Sequence, residues 1–280
     1  MIIDVHTHAM CYPDHLSDSF VREADRARGF HIDLTVPFDT YMQAMEPVDR
    51  AILFGMKARH TGFYVPNEWI AQFAARAPEK IIPFLSLDPT EPHFLDDFEY
   101  SYGDLHLRGI KLAPMYANFD PTDPHLDELY RRAVKHNLPI LFHTGTTFCQ
   151  FAPLRFTHPA LWDEVAMRHP DLVMILAHLG HPFEGEALVT ARKHPNVYLD
   201  LSALHYRPWQ LYNSLVLAQE YAVTHKILFG SDYPFTTPQA SFEGLAALNN
   251  MVEGTNLPRI SETRIGEIIH RDSLSLLRLE

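Results

Sequence analysis

Eight apolar strands alternating with helices predict a (β/α)8 barrel, the TIM-barrel architecture of the α/β class, built as a single domain over residues 1–280. Three observations carry that expectation. The strands are short, unbroken apolar runs, as expected of parallel strands covered on both faces. Eight strand–helix units in about 250 residues is the usual size of such a barrel. No Gly-rich phosphate loop follows the first strand, which counts against the rival doubly wound open sheet. No linker rich in Gly, Ser or charge divides the chain, and no repeat is evident.

Taken in order, Ile2–Val5 reads as the first strand, followed by a long mixed segment, 9–40, with one helix over Ser19–Arg28. Thr40–Pro47 is a short helix, and Arg50–Gly55 a second strand ending in glycine. Asn67–Ala77 has helical spacing and stops before Pro78, and Ile81–Leu87 is the third strand. The alternation then continues without a break. Pro92–Leu105, Pro124–His136, Pro159–His169, Glu184–His194 and Pro208–Val223 are helices. Between them lie strands Gly109–Leu112, Pro139–Phe142, Leu172–Ala177 and Val197–Leu201, and Lys226–Phe229 is the eighth. Pro238–Met251 and Glu262–Leu277 supply closing helices.

A hydrophobic fraction of 46% against 21% charged residues fits a globular chain with a sizeable core. The net charge of −12, without a run of Lys or Arg, argues against a nucleic acid or an anionic membrane as partner. A small-molecule substrate remains, and the composition leaves a homo-oligomer open. Cys11 and Cys149 cannot make a disulfide framework. No secretory leader is visible, and apolar runs such as Leu172–Ala177 are too short to span a bilayer, so a soluble cytoplasmic protein is the default expectation.

Eighteen histidines stand out, and the barrel rule sorts them, because function gathers on loops leaving the C-terminal ends of strands. His136, His169, His194 and His225 fall near helix C-termini, where an imidazole meets the last carbonyls and the negative end of the dipole. His6 and His8 instead close the first strand in Asp4-Val-His-Thr-His8 and, at alternate positions, project to one face. His-x-His alone is a weak signal. His143 and His178 follow the fifth and sixth strands, however, and Asp232 follows the eighth, which places five ligand-type residues at one mouth. Three nitrogens and a carboxylate suit one divalent ion, Zn²⁺ first, with Mn²⁺ or a second metal as alternatives. Asp232 and His178 are then the candidates to move the proton of an attacking water.

Four segments, Asp4-Val-His-Thr-His8, Phe142-His-Thr-Gly145, Ala177-His-Leu-Gly180 and Gly230-Ser-Asp-Tyr-Pro234, make the chain resemble the amidohydrolase superfamily. Within it, the resemblance is to the amidohydrolase-related group of aminocarboxymuconate-semialdehyde decarboxylase, resorcylate-type decarboxylases and sugar lactonases. The resemblance implies His6, His8, His143 and Asp232 as ligands of one metal and His178 as the catalytic imidazole. In binuclear relatives, the position of His178 binds a second metal and a carboxylated lysine or a glutamate after strand four bridges the pair. Lys111 stands at that place, and an unmodified lysine pairing with substrate or a neighbouring acid is the simpler reading.

Substrate contacts are read from loop position. Arg155 and His158 lie beyond His143, Arg207 beyond the seventh strand, and Tyr233 beside Asp232. Either arginine can fork onto a carboxylate, although a solvated loop cation is the first reading of each. Phe148, Phe151 and Phe156 either wall a pocket or hold down a loop, and Cys11 and Cys149 read as unconnected thiols near the mouth. The leading expectation is hydrolysis of an ester, lactone or amide carbonyl in a small, carboxylated substrate by metal-activated water. Non-oxidative decarboxylation of an aromatic or unsaturated acid is the alternative.

Overall fold

The computed structural model describes residues 1–280. The strands are β1 (Ile3–His8), β2 (Arg50–Phe54), β3 (Lys57–Ala58), β4 (Phe63–Tyr64), β5 (Ile81–Ser86), β6 (Ile110–Leu112), β7 (Ile140–Phe142), β8 (Met174–Leu176), β9 (Val197–Asp200) and β10 (Ile227–Leu228). β3 and β4 form a small antiparallel hairpin, and the other eight make one parallel sheet in the order β1-β2-β5-β6-β7-β8-β9-β10. The sheet closes on itself. Val5 N–H donates to the Phe229 carbonyl (3.0 Å), Asp232 N–H to His6 (2.8 Å) and His8 N–H to Tyr233 (2.8 Å), and Thr7 pairs in parallel with Tyr233. All eight expected barrel strands are present, and the sheet forms the TIM barrel that their pattern predicts.

The barrel strands are buried on both faces, which is why they read as unbroken apolar runs. Their inward side chains, among them Ile3, Val5, Ile52, Phe54, Phe84, Leu141 and Ile175, make a compact inner core. Leu274, Leu277 and Leu279 join that core and stopper the barrel at the N-terminal ends of its strands. A larger cluster between sheet and helices forms the outer core.

Helices α1 (Asp18–Arg28), α2 (Phe38–Ala44), α3 (Asn67–Ala74), α4 (Phe94–Gly103), α5 (Pro114–Ala117) and α6 (Asp127–Lys135) accompany the first half. α7 (Leu161–Arg168), α8 (Glu184–Lys193), α9 (Pro208–Glu220), α10 (Pro238–Ala247), α11 (Glu262–Ile269) and α12 (Ser273–Leu276) follow. α1 matters most for the site. Ser17 caps it by accepting from Phe20 N–H (3.2 Å), and Gly29 at φ +76° ends it in the left-handed conformation glycine adopts without a Cβ penalty.

Three expectations change. β1 extends to His8, so both histidines lie within the strand, and its register against β2 shifts between Asp4 and Thr7, a one-residue bulge. The single closing helix expected over Glu262–Leu277 is two helices. Its break lies at Arg271, which turns inward to donate to the Ile227 carbonyl (2.8 Å), and Asp272 then caps α12 through Ser275 N–H. The hairpin β3–β4 and the short α5 occupy stretches read as loop. No helix is long and apolar enough to cross a membrane.

Candidate functional site

His6 and His8 of β1 are buried at the barrel mouth, their rings 5.0 and 4.7 Å from that of Phe54 on β2. Asp232 reaches them from the turn after β10, held by its N–H bond to the His6 carbonyl and sitting at φ +67°. That left-handed conformation costs a side-chain-bearing residue about 1 kcal/mol or more, which the barrel closure around it sustains. The result is a convergence of acceptors: His6 Nε2, His8 Nε2 and Asp232 Oδ1 lie 3.2–3.4 Å from one another. His178, at φ +58° after β8, stands beside them with its ring 4.8 Å from His6 and 4.9 Å from His143. Ligand atoms of His6, His178 and Asp232 fall within 4.8 Å of one another. His143 is turned differently. Its Nε2–H donates to the Thr146 carbonyl (3.1 Å), which leaves Nδ1 as its lone-pair nitrogen.

One carboxylate that the sequence reading passed over orders this group. Asp200, fully buried at the end of β9, accepts at Oδ2 from His6 Nδ1 (2.9 Å). Its Oδ1 accepts from His178 N–H (3.0 Å), Ser202 N–H (3.0 Å) and the Ser202 hydroxyl (2.5 Å). With its proton given to Asp200, Ser202 Oγ accepts from His178 Nδ1 at 2.8 Å. Both imidazoles therefore carry hydrogen on Nδ1 and present a bare Nε2 to the mouth. Burial drives His8 down to about 3 and His178 to about 4, and holds His143 well below its ordinary value. Burial opposes charge on Asp200 and Asp232, yet their histidine neighbours and hydrogen bonds keep both carboxyls below the usual range. Burial and Lys111 likewise resist a proton on His6, but the two carboxylates outweigh them and raise its proton affinity. Asp4, two residues before His6 on β1, is fully buried. Its Oδ1 accepts from the backbone N–H of His6 (3.1 Å) and Ser231 (3.0 Å), tying the first strand to the last loop.

Above these residues opens a cavity of about 420 Å³. His8, His143, His178 and Asp232 lie on it, with Phe20, Met56, Phe63, Phe148 and Phe235 among the apolar wall residues. Of the four residues proposed from loop position as substrate contacts, Arg207 lines the cavity. Arg155 does not reach it, being exposed and stacked over Phe156 (4.4 Å). His158 also stands outside, stacked on Phe183 (4.1 Å) near Glu186 (3.5 Å). Tyr233 packs against Tyr41 (5.7 Å). Phe148 walls the pocket, whereas Phe151 is exposed and Phe156 is buried in the core. Cys11 and Cys149 are free thiols. Tyr116, His181, Arg26 and Arg28 also line the cavity and were not anticipated. The two arginines end α1, which the 9–40 segment carries up to the mouth.

The amidohydrolase family model matches residues 3–255. The chain belongs to the amidohydrolase family. Three solved structures share the fold of this amidohydrolase. An uncharacterized TIM-barrel protein of Bordetella bronchiseptica is 21% identical with a TM-score of 0.75, the match covering 99% of this chain and 98% of that one. 2,6-Dihydroxybenzoate decarboxylase, in complex with 2,6-dihydroxybenzoate, is 17% identical with a TM-score of 0.72 over 100% and 99%. A probable 2-pyrone-4,6-dicarboxylic acid hydrolase of Acinetobacter baumannii, with citric acid bound, is 13% identical with a TM-score of 0.67 over 99% of each chain. At such identities the likeness shows the fold. No curated protein sequence matches the chain.

The donor set of this amidohydrolase fits the divalent ion such a family employs. Ring nitrogens of His6 and His8 and a carboxylate oxygen of Asp232 converge on one point, and His8 Nδ1 has no hydrogen-bond partner. Lys111 is fully buried below them, its Nζ 4.6 Å over the Phe54 ring and without a hydrogen-bond partner. The neighbouring acid expected to pair with it makes no hydrogen bond to it. Burial lowers its pKa to about 7, against the pull of Asp200 and Asp232.

Proposed function

We propose that the chain is a metal-dependent enzyme that hydrolyses an ester, lactone or amide carbonyl in a small, carboxylated organic substrate. The observation that carries the reading is the convergence of His6 Nε2, His8 Nε2 and Asp232 Oδ1 within 3.4 Å. Two ring nitrogens and a carboxylate oxygen gathered at that separation attract positive charge, a proton or a metal ion, and their donor types suit the latter. His6, His8 and Asp232 would hold a divalent ion, Zn²⁺ by donor type with Mn²⁺ as the alternative, and His143 would complete the set through a ring nitrogen. Such an ion supplies Lewis-acid polarisation of a carbonyl and acidification of water.

The chain's own residues do the rest. The cavity wall holds the apolar body of the substrate, and Asp200 with Ser202 fixes His178 with Nε2 as an acceptor. An acceptor facing the mouth takes the proton of the attacking water, with Asp232 as its partner in that role. As the new C–O bond forms and the acyl bond breaks, the same proton passes to the leaving oxygen or nitrogen.

Decarboxylation is the second reading. The decarboxylase among the structural neighbours and the phenylalanine-rich cavity wall favour it. In that case a carboxylate of an aromatic acid would take the place of the polarised carbonyl.

Metal analysis tests the first step. The purified protein should hold about one equivalent of a divalent ion, and His6→Ala should lose it. Less than about a tenth of an equivalent after chelator-free preparation refutes the metal reading. A metal-reconstituted screen of lactones, amides and aromatic acids, with carbon dioxide scored separately from acid release, decides between the reactions. Carbon dioxide from an aromatic acid without any hydrolysis replaces the first reading with the second.

A further inference from the structure

The rim of the cavity carries cations that nothing in the protein neutralises. Arg28, from the end of α1, and Arg207, from the loop after β9, both stack on the ring of Tyr206, with guanidinium carbons 4.2 and 4.4 Å from its centroid. All three residues line the cavity that holds His178 and Asp232. The arginine ion pairs of this chain belong to Arg59, Arg76, Arg131, Arg132, Arg168 and Arg264. Arg28 and Arg207 have none. Arg207 spends one donor on the Ala203 carbonyl (2.9 Å), and the Arg28 guanidinium meets only the rings of Tyr206 and Phe235. Arg207 follows Tyr206 in the chain, and α1 brings Arg28 from a remote segment onto the same ring, which gathers two unpaired guanidinium groups at one edge of the cavity. Stacking on an aromatic face fixes the plane of a guanidinium and leaves its edge donors free for a planar anion.

We propose that Arg28 and Arg207, clasped on Tyr206, form an anion-recognition subsite at the rim, so that the substrate carries a carboxylate at the end opposite its reacting group. The inference rests on the proposed reaction site and adds the substrate class to it: an apolar acid long enough to reach from the floor to the rim. Phe20, Phe63 and Phe148 flank the space between, so a planar unsaturated or aromatic body fills it best. The distal carboxylate accepts from the guanidinium edges, and the floor residues then meet the other end of the molecule. Lysine in place of either arginine keeps the charge and loses the fork.

Binding of small acids to the metal-reconstituted protein tests this, read by calorimetry. Benzoate offers one carboxylate, and phthalate, isophthalate and terephthalate offer two at three separations. At least one diacid is expected to bind about tenfold or more tighter than benzoate. Arg28→Gln and Arg207→Gln should each shrink that ratio, and the double variant should bring it near one. Melting temperatures of the variants confirm folding, since both side chains are partly exposed. A ratio near one for all three diacids in the unaltered protein overturns the proposal, as does a ratio that survives the double substitution. Metal content is measured on the same samples. Loss of metal with an intact arginine effect indicts the reaction site and spares the rim, and the reverse indicts the rim alone.

Discussion

Replacing Asp200 by Asn tests the ordering of the site through a single atom. The substitution keeps shape and volume, and the structure dictates which way the amide turns. Three donors converge on Oδ1, from the backbone of His178 and from both the backbone and the hydroxyl of Ser202, whereas one, His6 Nδ1, addresses Oδ2. The amide oxygen therefore takes the Oδ1 place, and the NH₂ group faces His6 Nδ1 at 2.9 Å. Two donors cannot share that contact, and with only the longer Ser202 Oγ contact (3.2 Å) left to Nδ1–H, His6 is expected to move its hydrogen to Nε2, the atom that faces His8 and Asp232. The lone pair is withdrawn from the ligand set. Loss of such a supporting carboxylate weakens metal affinity about 10- to 100-fold, or about 1.4–2.7 kcal/mol. Competition against a chromophoric chelator measures it, with melting temperature as the control for folding. If Asp200→Asn binds Zn²⁺ within twofold of the unaltered protein, the assignment of His6 Nε2 as a ligand is wrong.

Three further outcomes are expected. Ser202→Ala removes the nearer acceptor of His178 Nδ1 and leaves it the Ser202 carbonyl at 3.3 Å, so kcat at saturating metal should fall up to about tenfold while KM stays within a factor of about two, and an unchanged kcat shows that the hydroxyl does not position His178. Lys111 titrates at about 7 in the folded protein against 10.5 ordinarily, so its burial penalty is complete below pH 7 and vanishes above 10.5. Metal-free protein should therefore gain stability, on the order of a few kcal/mol, across that window, and Lys111→Met should abolish the rise in denaturant titrations, whereas a parallel pH profile in the variant contradicts the burial argument. Gly145 has φ +81°, and a Cβ there would lie 2.0 Å from the His181 carbonyl oxygen, so Gly145→Ala should cost about 2 kcal/mol or more and lower Tm by roughly 4–8 °C. An unaltered Tm refutes it.

Much of the fold was legible because its physics is local. A parallel strand covered on both faces must be apolar throughout, so β2, β7 and β8 announce themselves, and strand parity alone puts His6 and His8 on one side. The site was legible as far as its residues close strands. What escaped depends on contacts across the barrel. Asp200 looks like one more polar strand end, although a lone acid closing the run Val197–Asp200 was a signal, and its meaning lies 194 residues away in His6. Arg28 sits on a helix whose approach to the mouth is set by the path of residues 9–40, which has no periodicity to read. Arg155 and His158 share the loop after β7 with Thr146, Thr147 and Phe148, yet only the part of that loop nearest the strand lines the cavity. The break at Arg271 was half legible, since Asp272-Ser273 is a helix-start signal, but the bond that draws Arg271 inward is not.

The stopper made by Leu274, Leu277 and Leu279 has a bearing on turnover. With the lower barrel packed by apolar side chains, whatever reaches the floor residues must also leave by the upper opening. In the proposed hydrolysis of a carboxylated lactone, the departing molecule would be more anionic than the one that arrived, and it would depart past Arg28 and Arg207. Under that reading, release is expected to be slow and the product to inhibit at low ionic strength, an effect that added salt eases by screening the arginines.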